Sequence, residues 1–187
     1  MVNLASPAVS SDSLQLPITN SRLKILLVRL RLIGDVVLTT PLINALRRRY
    51  PDGQLTYVVE AAAAPVIRGN RNVTDIVVVP RTGGMTRVRD DLALAGRLRR
   101  QHFDIAIDLH GGPRAAWLTW SSGAPVRIGY RIQGRSWMYT HVVPRPRDEA
   151  PRPSVVNQSD LLAPLGLELP DPVLDPLEMA VDATASA

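Results

Sequence analysis

The chain has 187 residues, of which 45% are hydrophobic and 21% are charged. That composition is typical of one soluble globular domain, and it excludes collagen-like and wholly disordered chains. The absence of cysteine excludes disulfide scaffolds, thiol catalysis and cysteine-based metal centres. No two of the three histidines have the spacing of metal ligands, so we expect no metal held by the protein.

The charge balance is basic, with 22 Lys and Arg against 17 Asp and Glu and a pI near 10.4. Lys24 is the only lysine, so nearly all the cations are arginine. Two explanations stay open: a genome rich in G and C favours arginine codons, and guanidinium groups suit phosphate or carboxylate partners. Charge alone therefore admits nucleic acid, anionic lipid or a phosphorylated sugar as a partner.

The start of the chain does not resemble a membrane or export segment. Residues 1–21 lack the basic and apolar regions of a secretory signal, and they predict a flexible arm. The longest uncharged stretch near the start, residues 36–46, is far shorter than the ~20 residues of a membrane span. We therefore expect a cytoplasmic protein, with room for contact with a membrane surface.

From Lys24 onward, apolar runs alternate with amphipathic stretches. Strands that are buried on both faces read as continuous apolar runs, so the pattern predicts a parallel sheet with helices on both faces, a Rossmann-like α/β fold. The predicted strands are residues 24–30, 55–60, 75–80, 104–110, 126–130 and 139–143. The predicted helices are residues 36–50, 61–69, 86–101, 113–121 and 154–165.

Two predicted helices have further detail. Pro41 either follows a cap at Thr40 as the first helical residue, or it kinks a helix that begins at Asp35, and both explanations stay open. The apolar residues of the 86–101 helix share one face, which we expect to point inward. They are Val88, Leu92, Ala95 and Leu98.

The composition changes after Gly166. Residues 167–176 contain three prolines and several acids, and they predict an extended linker. Residues 177–181 resemble the start of a strand with nothing after it to pair with. The sequence therefore divides into an arm (1–21), a Rossmann-like domain (22–166) and a linker or tail (167–187).

The residues that follow the predicted strands are the candidates for a site, because ligands of open α/β sheets bind beyond the carboxyl ends of the strands. They are residues 29–35, Glu60, residues 110–114 and residues 129–131. Two nucleotide motifs are excluded here. The first loop has one glycine, Gly34, where a dinucleotide fingerprint needs three, and the sole lysine lies before the strand that a P-loop lysine would follow.

Asp35 is the strongest single candidate for a functional residue. One explanation is a helix cap, because aspartate is favoured at helix starts. The other is a general base, since a helix N-terminus favours the carboxylate and Gly34 leaves room for a sugar hydroxyl to approach it. The residues alone leave both explanations open.

Arg114 breaks a local rule, because it falls in the first turn of the predicted 113–121 helix, where a cation opposes the dipole at a cost of ~0.3–1 kcal/mol. A phosphate or carboxylate bound between Arg114 and the amides of Gly111 and Gly112 would reverse that cost. The alternative is a surface arginine that turns toward solvent. His110 either binds a substrate hydroxyl or satisfies a loop carbonyl.

The pattern GDVVLTTP at residues 34–41, together with the strand and helix segments around it, resembles the amino-terminal half of the lipopolysaccharide heptosyltransferases, glycosyltransferase family 9. The pattern Gly-Asp-Val-x-x-Thr-x-Pro after the first strand is its most specific part, and the segments together cover most of residues 24–166. They are KILLVRLRLIGDVVLTTPLINALRRRYP (24–51), QLTYVVE (54–60), VTDIVVVP (73–80), FDIAIDLHGGPRAAWLTWSSGAPVRIGY (103–130) and SVVNQSDLLAPLG (154–166).

The resemblance implies a GT-B transferase with two facing Rossmann-like domains. This chain then carries the acceptor domain and lacks the carboxyl-terminal domain that holds most of the ADP-sugar site. The family default is inverting transfer of heptose from ADP-heptose to lipopolysaccharide core or a related cell-envelope glycan, with Asp35 as the base and with no metal or resident cofactor. The substrate-binding candidates are Arg29, Arg31, Gly34, His110, Gly111, Gly112 and Arg114.

Two functions stay open at this point. The chain is either the acceptor-binding half of a glycosyltransferase, inactive alone, or a non-catalytic module that binds a sugar or an anion. The expected partners are a glycolipid or glycan acceptor and a nucleotide sugar, with no nucleic acid. The expected location is the cytoplasm, with room for peripheral contact with the cytoplasmic face of the inner membrane.

Overall fold

The computed structural model describes residues 22–80, 82–145, 154–167, 170–171 and 173–178. Its strands are β1 (Lys24–Val28), β2 (Gln54–Glu60), β3 (Asp75–Val79), β4 (Ile105–Asp108), β5 (Val126–Tyr130) and β6 (His141–Val143). They form one parallel sheet in the order β3-β2-β1-β4-β5-β6, which confirms the predicted Rossmann-like class. The strand order reverses at β1 and β4, where such folds bind ligands. The predicted arm, 1–21, lies outside the described residues.

The helices of the described ranges all connect or flank these strands. They are α1 (Ile33–Val37), α2 (Thr40–Arg49), α3 (Ala64–Ile67), α4 (Gly84–Arg99), α5 (Pro113–Ser121) and α6 (Ser154–Ser159). Two 3₁₀ helices, Ser136–Met138 and Asp160–Leu165, complete them. No helix in these ranges is both long enough and apolar enough to cross a bilayer.

The chain around Pro41 forms two helices rather than one kinked helix. The amide of Thr39 closes the end of α1 by donating to the Val36 carbonyl at 3.1 Å. Thr39 then takes the N-cap position of α2, and Pro41 lies in the first turn, where the missing N–H of proline leaves no bond unmade. The kinked helix and the cap at Thr40 are therefore both wrong in detail: Thr40 is the first residue of α2, Pro41 is the second, and Thr39 precedes them without a side-chain cap hydrogen bond.

The sheet is buried on both faces, as the continuous apolar strands predict. In β1, Ile25 and Leu27 belong to the core that contains α2, α3 and the 3₁₀ helix Asp160–Leu165. Leu26 and Val28 point to the opposite core, which contains α5 and the end of α4. All four side chains are fully buried. The carboxyl end of β1 therefore lies in the rigid centre of the domain.

The prediction for α4 is half wrong. Ala95 and Leu98 are buried, whereas Val88 and Leu92 are 53% and 60% exposed. Only the carboxyl-terminal half of α4 reaches the core that contains α5. The 3.6-residue period identifies residues that share a face of a helix, but it does not say how far along the helix the core extends.

The described part of the predicted linker turns back onto the domain. The amide of Asp171 donates to the Asp175 carboxylate at 3.0 Å, and that carboxylate, which is buried, also pairs with Arg48 of α2. The expectation of an extended linker is therefore wrong for these residues, because an ion pair between the buried Asp175 and the half-exposed Arg48 holds them against α2. The predicted strand 177–181 lies outside the described residues after Glu178, and its first two residues are not in a strand.

Candidate functional site

Asp35 lies within the first turn of α1 and does not cap it. Leu32 holds the N-cap position, with a positive φ of 68°. The Asp35 carboxylate, 23% exposed, instead forms an ion pair with the guanidinium of Arg29. A Cβ built on Gly34 would meet no atom within 4 Å, so the space at this position is open, and the expected approach of a sugar hydroxyl past Gly34 stays a prediction. The cap explanation for Asp35 is therefore wrong, and the general-base role stays a prediction.

Arg29 lies just past the end of β1, and its side chain is 9% exposed. Its Nη1 donates to the carbonyl of Leu109, after β4, and its Nη2 donates to Asp35 Oδ2. Its Nε is buried and has no hydrogen-bond partner among the described residues. The guanidinium is thus fixed between two neighbouring strand ends, and it holds the Asp35 carboxylate in one orientation.

A cavity of about 180 Å³ opens beside Asp35. Gln158 is 4% exposed on its wall, and its Oε1 is buried without a partner among the described residues. The guanidinium of Arg145 lies 5.2 Å from the centre of the Tyr130 ring. The residues that line the cavity are Arg29, Asp35, Leu109, Tyr130, Arg145, Asn157 and Gln158. Two cations against one carboxylate make this wall suitable for a polar ligand that carries a negative charge.

Sequence reasoning missed Arg145, Gln158 and Asp108. The first two lie beyond β6 and on α6, where no strand-end rule points to them, and only the fold brings them to Asp35. Asp108 had a signal, because it is an acid inside the apolar run IAIDL of the fourth predicted strand. A charge in such a run is rarely buried without hydrogen-bond donors around it.

The β4–α5 turn is built on Asp108. The fully buried Asp108 Oδ1 accepts hydrogen bonds from the amides of His110 at 2.8 Å and Gly111 at 2.7 Å. The Gly111 amide is therefore engaged within the protein, which corrects the expectation that this amide is free to bind an anion. The expected role of Gly112 as an amide donor stays a prediction.

The His110 ring folds back onto Gly112. A Cβ on Gly112 would lie 2.6 Å from this ring, so any larger residue would displace it. The ring makes no hydrogen bond within the described residues, which leaves it available to a ligand. Burial lowers the pKa of His110, and the charges of Arg29 and Arg31 lower it further. The neutral ring that results can both donate and accept a hydrogen bond.

Arg114 occupies the first turn of α5 as predicted, but carboxylates of the protein match its charge. Its Nε and Nη2 donate to Asp91 at 3.0 and 2.6 Å, and its Nη1 lies 3.6 Å from Glu60 Oε1. Its side chain is 10% exposed, so the solvent-facing alternative is wrong. Arg31 approaches the same Glu60 at 3.4 Å and remains 55% exposed. Any anion at Arg114 would have to compete with two carboxylates.

Among the described residues, no group of three or more histidine, aspartate or glutamate side chains is placed to share a metal ion. The geometry instead offers one polar cavity lined by a positioned carboxylate and by a guanidinium, that of Arg145, which no described carboxylate pairs with, while the imidazole of His110 follows the lining residue Leu109 in the chain. Such a set can bind a polyhydroxylated anion and accept a proton from one of its hydroxyls.

Comparison with known proteins identifies relatives that are sugar transferases. The family model for glycosyltransferase family 9 (heptosyltransferase) matches residues 92–186, just over half of the chain. Lipopolysaccharide heptosyltransferase 2 of Escherichia coli K12 is 25% identical over 160 residues, which cover 82% of this chain and 45% of that protein. Lipopolysaccharide heptosyltransferase 3 of the same strain is 28% identical over 123 residues, which cover 62% and 36%. The chain thus spans less than half the length of these relatives.

Solved structures share the fold. The glycosyl transferase family 9 from Veillonella parvula DSM 2008 superposes with a TM-score of 0.72 at 24% identity, over 86% of this chain and 45% of that one. The E. coli heptosyltransferase WaaC with ADP-2-deoxy-2-fluoro heptose gives 0.65 at 19% identity, over 79% and 50%. The family model matches more than half of the sequence and the fold agrees with it, so the chain belongs to glycosyltransferase family 9, the heptosyltransferase family.

Proposed function

We propose that this domain binds the acceptor of an inverting heptosyl transfer, with ADP-heptose as the donor and lipopolysaccharide core or a related cell-envelope glycan as the acceptor. The observation that carries the proposal is the placement of Asp35. Its carboxylate is partly exposed, is oriented by Arg29, and lines a polar cavity at the carboxyl edge of the sheet. A structural carboxylate would need no such access.

The transfer requires a base that accepts the proton of the acceptor hydroxyl and a nucleophilic attack by its oxygen on the anomeric carbon. The acceptor hydroxyl sits against Asp35, and its oxygen attacks the anomeric carbon of the heptose as its proton passes to the carboxylate. The bond from the anomeric carbon to the diphosphate oxygen breaks, and that electron pair leaves with ADP. Attack from the face opposite the leaving group inverts the anomeric centre. Asp35 is the catalytic residue, and Arg29 orients it.

The acceptor and the departing diphosphate need different groups. Arg145, which no described carboxylate pairs with, supplies a cation for an anionic group of the acceptor. His110 supplies a hydrogen bond to a sugar hydroxyl. We assign the diphosphate to a further domain, since the relatives are more than twice as long as the part that this chain matches. The nucleotide sugar is then a substrate, and no resident cofactor or metal takes part.

The same proposal gives a place for the reaction. An acceptor anchored in the inner membrane would present its glycan on the cytoplasmic face, so we infer a cytoplasmic protein in peripheral contact with that surface.

The test uses the purified 187-residue chain. Titration with a heptose-deficient lipopolysaccharide core oligosaccharide should shift the amide NMR signals of Asp35, Leu109 and Gln158, which line the cavity. ADP-heptose alone should shift few signals, and the two together should yield no product from a chain that melts cooperatively. If the chain binds the donor and ignores the acceptor, the assignment is reversed. Measurable transfer by the chain alone would place the donor site within this domain.

A further inference from the structure

We propose that Asp108 and Tyr139 are positioning residues that fix the Arg29–Asp35 pair through the β4–α5 turn. The inference rests on the proposed role of Asp35, but its geometry is independent of the ligand. Neither residue touches the cavity. They act through the Leu109 carbonyl, which lies between the residues that Asp108 binds and the arginine that holds Asp35.

Asp108 is a fully buried carboxylate with three donors. Its Oδ1 accepts from the amides of His110 and Gly111, and its Oδ2 accepts from the Tyr139 hydroxyl at 2.6 Å. Burial raises the pKa of the Asp108 carboxyl, and these three donors act in the opposite direction. A buried acid costs free energy, so its retention here indicates that the turn depends on it.

Two glycines make room for this arrangement. A Cβ on Gly129 would lie 2.4 Å from the Tyr139 ring, so the ring lies flat against β5 only because that position has no side chain. Gly111 has φ of +73°, a conformation that glycine adopts without strain, and its amide can therefore point back at Asp108. The hydroxyl of Tyr139 thus reaches Asp108 from the segment between the 3₁₀ helix Ser136–Met138 and β6.

The turn then fixes Arg29. The amide of Leu109 donates to the Val28 carbonyl at 3.0 Å, and its carbonyl accepts from Arg29 Nη1. The only other described hydrogen bond of this guanidinium is the one from Nη2 to Asp35. The orientation of the Leu109–His110 peptide therefore sets one of the two described hydrogen bonds that orient the Arg29 guanidinium. The connection runs from Tyr139 through Asp108, Leu109 and Arg29 to Asp35.

A purely structural clamp would stabilise the turn and leave the Arg29 side chain unaffected. A positioning clamp would also restrain that side chain. Two NMR measurements on the 187-residue chain separate them: hydrogen exchange of the Gly111 amide reports the turn, and the guanidinium signals of Arg29 report the restraint on its rotation.

Tyr139→Phe removes one hydroxyl and keeps the ring. Tyr50→Phe is its matched control, because both tyrosines are 5% exposed and the buried Tyr50 hydroxyl has no hydrogen-bond partner among the described residues. We expect Tyr139→Phe to speed exchange of the Gly111 amide by ~10-fold and to average the separate Nη signals of Arg29. Tyr50→Phe should change neither.

Asp108→Asn provides the rescue. Its amide oxygen can accept from the two backbone amides while its NH₂ donates to Tyr139, so the Arg29 signals should persist. Asp108→Ala, if its melt remains cooperative, should lose them. Wild-type Arg29 signals in Tyr139→Phe overturn the proposal, whether or not Gly111 exchange has changed. These readouts need neither acceptor nor turnover, so their failure is distinct from a failure of the proposed function.

Discussion

Two buried arginines at the carboxyl edge of one sheet have opposite surroundings. Arg114 lies between Asp91 and Glu60, whose side chains are 15% and 8% exposed. Arg29 has one carboxylate partner, Asp35, which is 23% exposed and borders a cavity. The first group is a closed ion-pair network, whereas the second leaves a carboxylate open to a ligand.

The comparison teaches that a charged residue after a strand is a candidate only until its partners are known. Both arginines follow the strand-end rule, and both looked like ligand-binding residues in the sequence. Asp91 lies on α4 and Glu60 on β2, so the Arg114 network joins three elements and serves the fold. Arg29 joins the ends of β1 and β4 and orients Asp35, the most exposed of the three carboxylates in these two groups.

The largest expected effect comes from Asp35→Asn. The substitution keeps the size of the side chain and removes the oxygen that accepts the proton, so turnover should fall by ~10²–10⁴-fold with little change in melting temperature. Transfer is measured in this domain joined to the donor-binding half of a family member. Asp52→Asn, an exposed carboxylate in the α2–β2 turn, is the control. Turnover within a few-fold of the parent would remove Asp35 from the mechanism.

The next effect concerns stability at the closed network. Arg114→Ala removes the main cation of Asp91 and one of the two guanidinium partners of Glu60, so the free energy of unfolding should fall by about 3 kcal/mol. Denaturant titration measures this loss, and a cycle with Glu60→Gln should show non-additivity, since the two side chains interact. Unchanged stability combined with weaker acceptor binding would instead restore Arg114 as an anion ligand.

The fold was predictable because its signals are local. All six strands were placed within two residues at each end, since continuous apolar runs mark strands that are buried on both faces. The errors lie where partners decide the outcome. Val88 and Leu92 follow the helical period but extend beyond the core, and Asp175 folds back because Arg48 of α2 pairs with it.

The site was half predictable for the same reason. The strand-end rule found Asp35, Arg29 and His110, because parallel strands bring their carboxyl ends to one edge. It could not find Arg145 and Gln158, which come from segments more than 100 residues after Asp35 in the chain. The rule also could not show that the charge of Arg114 is neutralised, because its partner Asp91 lies 23 residues earlier in the chain, on α4.

A smaller effect concerns the affinity of the cavity beside Arg29 and Asp35 for the acceptor. Arg145→Ala removes a cavity cation that no described carboxylate pairs with, so the acceptor dissociation constant should rise by ~10-fold and depend less on salt. Calorimetric titration at low and high salt measures both quantities. Arg97→Ala removes the same charge from an exposed position on α4 and should change neither. Equal effects of the two variants would mean that only net charge matters.

The smallest effect is a change in how stability depends on pH. The pKa of His110 is lowered in the folded protein, so below its usual value of 6.5 the unfolded chain binds more protons at this residue than the folded domain does. His110 therefore destabilises the fold as the pH falls, and its contribution is restored above the unfolded pKa. One residue can change the slope by at most about 1.4 kcal/mol per pH unit, and a fraction of this is expected.

Chemical denaturation from about pH 7.5 to about pH 5.5 should thus show a flatter decline for His110→Gln than for the parent. His102→Asn, at an exposed turn residue with positive φ, should keep the parental slope. If His110→Gln keeps it too, then the imidazole is as easily protonated in the fold as in the unfolded chain, and the neutral hydrogen-bonding role beside Arg29 is lost.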